Sequence, residues 1–170
     1  MLLLFRFLFV VFGGALRSRI GPLDESRVRF TVLPNDCDLN IHLNAGRFVS
    51  FMDIARMDLL VRMRVFFPLI RRGWRPIMGG CVVRYRHSIG PFERFEVRSR
   101  VLGWDAKWFY IEHLVERENR ICATGIMRVL IRHAKGNVGP EEVIALTGKT
   151  LSSPPLSPFV ERWRDAEDAR

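Results

Sequence analysis

NDCDLNIHLNAGRFVSFMDIARMDLLVRMRVFFP, residues 35 to 68, sets an acidic, asparagine-rich turn directly ahead of a long apolar run. In the run, Phe48, Phe51, Met52, Ala55, Leu59, Met63 and Phe66 recur at spacings of three and four, which predicts one face of a helix. The helix is expected from about Asn44 to Phe67, where Pro68 stops it. At 1.5 Å per residue that is roughly 35 Å, long for a chain of this size. Val49, Ile54 and Leu60 fall off the stripe, so the helix is apolar over much of its circumference and must be enclosed by other structure.

The flanking sequence supplies the enclosure. RVRFTVL (27 to 33) alternates apolar Val28, Phe30 and Val32 with polar positions, the period-two pattern of a half-buried strand, and Pro34 ends it. Four further strand-like runs follow the helix: Ile77 to Ile89, Arg94 to Trp104, Lys107 to Arg117 and Arg120 to His133, the last two joined by a tight Glu118-Asn119 turn. Connections this short imply antiparallel pairing, because parallel pairs need crossovers of a dozen residues or more. One long apolar helix and one long curved sheet bury each other when the sheet wraps the helix. The expected class is α+β, a five-stranded antiparallel sheet around one central helix.

The chain has 170 residues, 48% of them hydrophobic, which suits one domain. Residues 24 to 146 carry that domain, with an apolar segment (1 to 23) before it and a Pro/Ser-rich, charged tail (147 to 170) after it. A short helix is expected over Pro140 to Leu146. Lys and Arg outnumber Asp and Glu by 27 to 18, for a net charge of +9. The excess favours an anionic partner, but the arginines are spread along strands and helices with no dense patch, which argues against nucleic acid. Three cysteines, Cys37, Cys81 and Cys122, show no Cys-x-x-Cys spacing. Neither a disulfide framework nor zinc is signalled, and a reducing, cytoplasmic location is the simplest expectation. Cys81 and Cys122 lie in apolar strand runs and are expected in the core. MLLLFRFLFVVFGGAL (1 to 16) is shorter than the ~20 apolar residues of a spanning helix, and Arg6 interrupts it. Two readings stand: a helix in peripheral contact with a membrane, followed by Arg17 and Arg19, and a helix docked on the core or a partner subunit.

In the acidic turn, Asp36 and Asp38 lie two apart, while His42 and Asn44 lead into the helix. A carboxylate beside the unpaired N–H groups of a helix start has the minimum equipment for hydrolysing an activated acyl group. Asp and Asn are also ordinary residues of turns and N-caps. A metal site from Asp36, Asp38 and His42 is disfavoured, since hard cations collect more oxygen ligands. Spacing alone leaves these readings open.

VLPNDCDLNIHLNAGRFVSFMDIARMD (32 to 58), IMGGCVVRYRHSIGPFERFEV and LGWDAKWFYIEHLVER resemble the hotdog-fold acyl-CoA thioesterases. The resemblance is to the thioesterase-like branch with an Asp-Leu-Asn-x-His-x-Asn signature and, more distantly, to the 4-hydroxybenzoyl-CoA thioesterases. It implies that Asp38 stands at the catalytic carboxylate, as general base or nucleophile, with His42 and Asn44 shaping the pocket and helix start. It implies subunits joined sheet edge to sheet edge, as a homodimer or dimer of dimers. It also implies an acyl-CoA substrate with no separate cofactor, its phosphates held by basic side chains for which Arg84, Arg86, His87, Arg128 and Arg132 are the candidates. Asp36 is left to the turn's scaffold, and Asp53 is expected to pair with Arg56. Ala45 stands where the branch commonly has a second Asn, and the His-Gly-Gly loop of the other hotdog subgroup is missing. The competing reading is a hotdog protein that binds acyl groups at a membrane without turnover.

Overall fold

The structure, a computed structural model, describes residues 2–169. Alternation in the sequence becomes alternation in burial. Strand β1 (Ser26–Thr31) buries Ser26, Val28 and Phe30, and β3 (Arg94–Trp104) buries Phe95, Val97, Ser99 and Val101. With β2 (Arg75–Tyr85), β4 (Phe109–Arg117) and β5 (Arg120–His133) they form an antiparallel sheet in the order β1-β3-β4-β5-β2. The β4–β5 turn places both Glu118 and Asn119 at positive φ, 51° and 62°, as a tight two-residue hairpin needs. A sixth strand, β6 (Gly136–Val138), adds to the five expected. It hairpins back on Ile131–His133, on the side of β5 that β4 leaves free beyond Val129.

The central helix α2 runs Ala45–Arg62, and eleven of its 18 residues are buried. Phe51 packs on Phe30 of β1 and Phe95 of β3 at ring separations of 4.9 and 5.0 Å. Met52 lies against Gly125 of β5, and Phe48 meets Tyr85 of β2 edge-on. Leu59 and Leu60 face Val101, Ile111 and Val129 across an apolar slot of about 30 Å³. One helix therefore packs on β1, β2, β3 and β5 and faces β4 across the slot, which is the wrapping the sequence called for.

The helix ends earlier than expected. At its C-terminus Arg64 takes φ 63°, its N–H bonds the Val61 carbonyl at 3.0 Å, and the Val65 N–H bonds the Leu60 carbonyl at 3.1 Å. This is a Schellman stop with arginine in place of the usual glycine. Pro68 instead sits in the first turn of a short helix α3 (Phe66–Arg71), where its missing N–H costs nothing. Helix α4 (Pro140–Ala145) forms close to expectation. The C-terminal residues depart from the expected tail, because α5 (Pro158–Asp168) is a helix docked on the outer face of the sheet through Val160 and Trp163 beside Tyr110.

Helix α1 (Leu2–Leu16) packs along α2 with Val10, Val11 and Gly14 buried, so the docked reading of this segment holds for one of its faces. The other face exposes Leu4, Phe5, Leu8, Phe9, Phe12 and Leu16. Among the described residues no helix is long and apolar enough to cross a membrane. Two carboxylates fix α1: Asp36 takes Arg6, and buried Asp58 of α2 takes Arg17 at 3.2 Å and the Ser26 hydroxyl at 2.5 Å.

The helices approach closely at Gly14, where a Cβ would stand 2.7 Å from the Asp58 carboxylate, whereas a Cβ at Gly13 would meet nothing within 4 Å. Gly14→Ala is expected to lower stability by about 1–3 kcal/mol through overpacking. Gly13→Ala is expected to raise it by up to ~1 kcal/mol through helix propensity. Urea denaturation of the two variants checks the opposite signs.

Candidate active site

The acidic turn is a small hairpin set on the N-terminus of α2. Cys37 and Leu43 form an antiparallel bridge, the Asp38 N–H bonds the His42 carbonyl at 2.9 Å, and the Ile41 N–H bonds the Asp38 carbonyl at 3.0 Å, with Ile41 at φ 59°. Asp38 lies at the start of this turn and is exposed. Its Oδ1 accepts the Asn40 N–H at 2.9 Å, an Asx-turn bond. Its Oδ2 has no partner among the described residues.

Asn44 is the N-cap of α2: its side chain accepts the Gly46 N–H at 2.9 Å. Its own N–H goes to the Asp36 carbonyl and that of Leu43 goes to the Ile89 carbonyl. Of the N–H groups from Leu43 to Ala45, only that of Ala45 is left without a protein acceptor among the described residues. His42 is exposed beside the turn. Asp36 is fully buried behind it, accepting the Leu33 N–H at 3.0 Å and both terminal nitrogens of Arg6. The turn-and-cap reading thus describes Asp36 and Asn44, and Asp38 is the carboxylate the turn presents outward. Cys37 has its thiol pKa pushed up by burial and by the charges of Asp36 and Asp38, the reverse of an activated nucleophile.

The predicted anion-binding residues separate into four places. Tyr85 donates to the Ala45 carbonyl at 3.0 Å, and the Leu43–Ile89 bond ties the segment after β2 to the motif. Arg86 and His87, exposed in that segment, are therefore neighbours of the turn. Val83 and Tyr85 face α2, so Arg84 projects from the opposite face. Arg132 pairs in register with Arg75 while Arg84 pairs with Thr124, which puts Arg132 roughly 30 Å from the motif end of β2. Arg128 is buried under α5, stacked 4.7 Å over the Trp108 ring and bonded to Glu167 and Asp168, each at 3.1 Å. It is engaged with the protein itself, a role its strand position does not reveal while residues 158–168 read as a tail. Cys81 departs from its expected core position and is exposed, because β2 is an edge strand. Asp53 pairs with Arg56 at 2.8 Å.

Sequence reasoning missed two groups. Arg6 reads in the sequence only as an interruption of an apolar run, although a lone charge in such a helix needs a buried partner. The second is Ser99 with His113, facing residues of β3 and β4, fully buried, the Ser99 Oγ 2.8 Å from His113 Nδ1. Burial first, and then the charge of Arg56, push the imidazole from 6.5 to about 3.

These features define a hotdog architecture: a curled antiparallel sheet, a central helix, and an acidic turn at the helix start. The chain belongs to the thioesterase-like superfamily, whose family model matches residues 32–163. It is 31% identical over 161 residues to Protein THEM6 of Xenopus laevis, covering 91% of this chain and 76% of that protein. It is 32% identical over 115 residues to thioesterase poxG of Penicillium oxalicum, covering 59% of this chain and 34% of that one. Solved structures show the same fold. YbaW, a probable thioesterase of Escherichia coli, superposes with TM-score 0.65 at 17% identity, over 73% of this chain and 99% of that one. A thioesterase of Thermus thermophilus complexed with coenzyme A and Zn gives 0.63 at 24% identity, over 74% and 96%.

His113 sets a pH limit. The unfolded chain takes up its proton near 6.5 and the folded one near 3, so this group's contribution is favourable above 6.5 and is lost as pH falls through that window. Denaturation curves at pH 7 and pH 4 are expected to show a smaller acid loss in His113→Gln, which keeps a partner for Ser99, than in the native chain.

Proposed function

We propose that the protein is an acyl-CoA thioesterase, cleaving an acyl-CoA with water to the free acid and coenzyme A. The reading is carried by one observation: an exposed carboxylate whose Oδ1 is tied to Asn40 and whose Oδ2 has no partner among the described residues, on the turn that leads into a helix start whose Ala45 N–H has no acceptor among them. In the proposed step Asp38 takes a proton from water as its oxygen adds to the thioester carbonyl. The oxyanion forms where the Ala45 N–H and the helix dipole favour negative charge. Collapse breaks the C–S bond, and the thiolate leaves and is protonated. Direct attack by Asp38 gives a mixed anhydride that water then opens; label from labelled water in Asp38 identifies this route with opening at the Asp38 carbonyl, because the general-base route leaves the Asp38 oxygens unexchanged.

His42 would border the acyl group, and Arg84, Arg86 and His87 would meet the phosphates of coenzyme A. Arg128 is left out because Glu167 and Asp168 already hold it, and Arg132 because of its distance from the turn. The proposed assembly is a homodimer joined along β2. That strand is an 11-residue sheet edge with Ile77, Met78 and Tyr85 exposed, and an open edge of this kind pairs readily with a second copy.

The test is thiol release from acyl-CoAs of graded chain length. Wild type is expected to turn over at least one of them, and Asp38→Asn to lower kcat by about a hundredfold or more. Release by no substrate overturns the enzyme reading, and undiminished release by the variant overturns the assignment of Asp38.

A second reading is acyl binding at a membrane without turnover; its membrane contact is supported by the exposed apolar face of α1, where Phe9 is 80% and Phe12 66% exposed. Co-sedimentation with phosphatidylglycerol vesicles is expected to fall about tenfold or more in the double variant Phe9→Ser/Phe12→Ser, since each ring contributes ~1 kcal/mol or more when withdrawn from water. Deleting α1 is a poorer test, because it strips Asp36 of its buried counter-charge.

A further inference from the structure

We propose that Arg6 is a positioning residue for the Asp38 site, holding the acidic turn in shape from behind through Asp36. This rests on the reading of Asp38 as the reacting carboxylate. Arg6 stands on α1, ahead of the residues matched by the superfamily.

Arg6 donates from Nη1 to Asp36 Oδ1 at 2.9 Å and from Nη2 to Oδ2 at 2.8 Å, a bidentate fork, with a further bond from Nη2 to the Thr31 carbonyl at 3.1 Å. Its guanidinium carbon lies 4.8 Å over the Phe51 ring. The pair is closed off from solvent: the Arg6 side chain is 13% exposed and that of Asp36 0%. Thr31 ends β1 and Phe51 belongs to α2, so one side chain joins three elements.

Asp36 passes this fixation to the site. Its Oδ2 takes the Leu33 N–H, and its carbonyl takes the N–H of Asn44 at 3.0 Å. Asn44 caps α2 and so sets where the Ala45 N–H points. One residue beyond Asp36, the Cys37–Leu43 bridge closes the hairpin that carries Asp38. The turn is thus pinned at its root, and Asp38 Oδ2 and the Ala45 N–H are left without a protein partner among the described residues. Arg47, 3.9 Å from Asp36 Oδ1, is a second cation but too far for a short bidentate pair. It moderates the charge left at Asp36 when Arg6 is removed without reproducing the fork.

The experiment uses the full chain and the acyl-CoA that wild type cleaves best, with Arg6→Met, Arg6→Lys, and Arg6→Met combined with Asp36→Asn. Arg6→Met is expected to lower kcat by ~10–100-fold, the scale on which misplacement of about 1 Å acts, with KM within about threefold. Arg6→Lys is expected to recover part of the loss. The double variant has no uncompensated carboxylate, and it is expected to regain thermal stability while kcat stays low. In an Asp38→Asn background, Arg6→Met is expected to add no further loss. Return of kcat along with stability in the double variant would make Arg6 merely structural and overturn the proposal. Amide exchange provides a readout independent of turnover. Faster exchange at Asp38 and Asn44 in Arg6→Met, with the β3–β4 ladder unchanged, supports the clamp, and unchanged exchange there overturns it. If wild type cleaves no acyl-CoA, the functional reading fails by itself, and the exchange result alone decides whether Arg6 positions the turn.

Discussion

The rest of the structure depends on the circumference of α2. A helix with an apolar face on one side can rest on a sheet, but one buried over eleven of 18 residues needs cover on the side the sheet does not reach. The strands curl around Phe48, Phe51, Met52 and Leu59, and α1 closes the remainder with Val10, Val11 and Gly14. Enclosure also fixes the site. The burial of Phe48, Phe51 and Met52 anchors the first turns of α2, and in the proposed function that anchoring would hold the Ala45 N–H in place.

Enclosure by α1 brings polar groups into the interior, and their pairing is specific. Asp36 and Asp58 are both buried, and each is answered by an arginine from the α1 segment, Arg6 and Arg17. Buried ion pairs are weak sources of net stability, because desolvation offsets much of the Coulomb gain. Their effect here is on register: α1 cannot slide or turn on α2 without breaking both short pairs, which leaves Asp36 only Arg47 at 3.9 Å and Asp58 only Arg62 at 3.8 Å. Gly14 permits the close approach that makes the Arg17–Asp58 pair reachable.

The sequence made plain whatever rests on local periodicity. The alternation of β1 and β3, the strand runs of β4 and β5, the long apolar helix and the Glu118-Asn119 hairpin follow from spacing, and antiparallel order follows from the short connections. What was hidden depends on contacts distant in sequence. Nothing in the residue types marks Arg64 as adopting positive φ, because the strain is compensated by the Schellman bonds to Leu60 and Val61. The last helix was hidden because its Pro/Ser-rich approach and many charges resemble a solvated tail, yet Val160, Trp163, Glu167 and Asp168 answer Tyr110, Trp108 and Arg128 on the sheet. In the candidate site, Asp38 was legible from the motif with the family resemblance. The pinning of its turn by Arg6 was not, since the partners are 30 positions apart.

The charge balance takes on a different meaning once the pairs are placed. Arg27, Arg29, Arg98, Arg100 and Arg117 are matched by glutamates around β1, β3 and β4. Arg71, Arg72 and Arg75 before and within β2, and Arg84 and Arg86 at its far end, form no ion pair among the described residues. Five unpaired arginines thus stand at the two ends of the one long strand left at a sheet edge. In the proposed dimer, antiparallel pairing of two β2 strands would bring Arg75 of one copy toward Arg84 and Arg86 of the other. Like charges in that arrangement repel unless an anion lies between them. Under the proposed function, the phosphates of a coenzyme A ester would have the charge to fill that place, giving these five arginines a common anionic partner at the open edge.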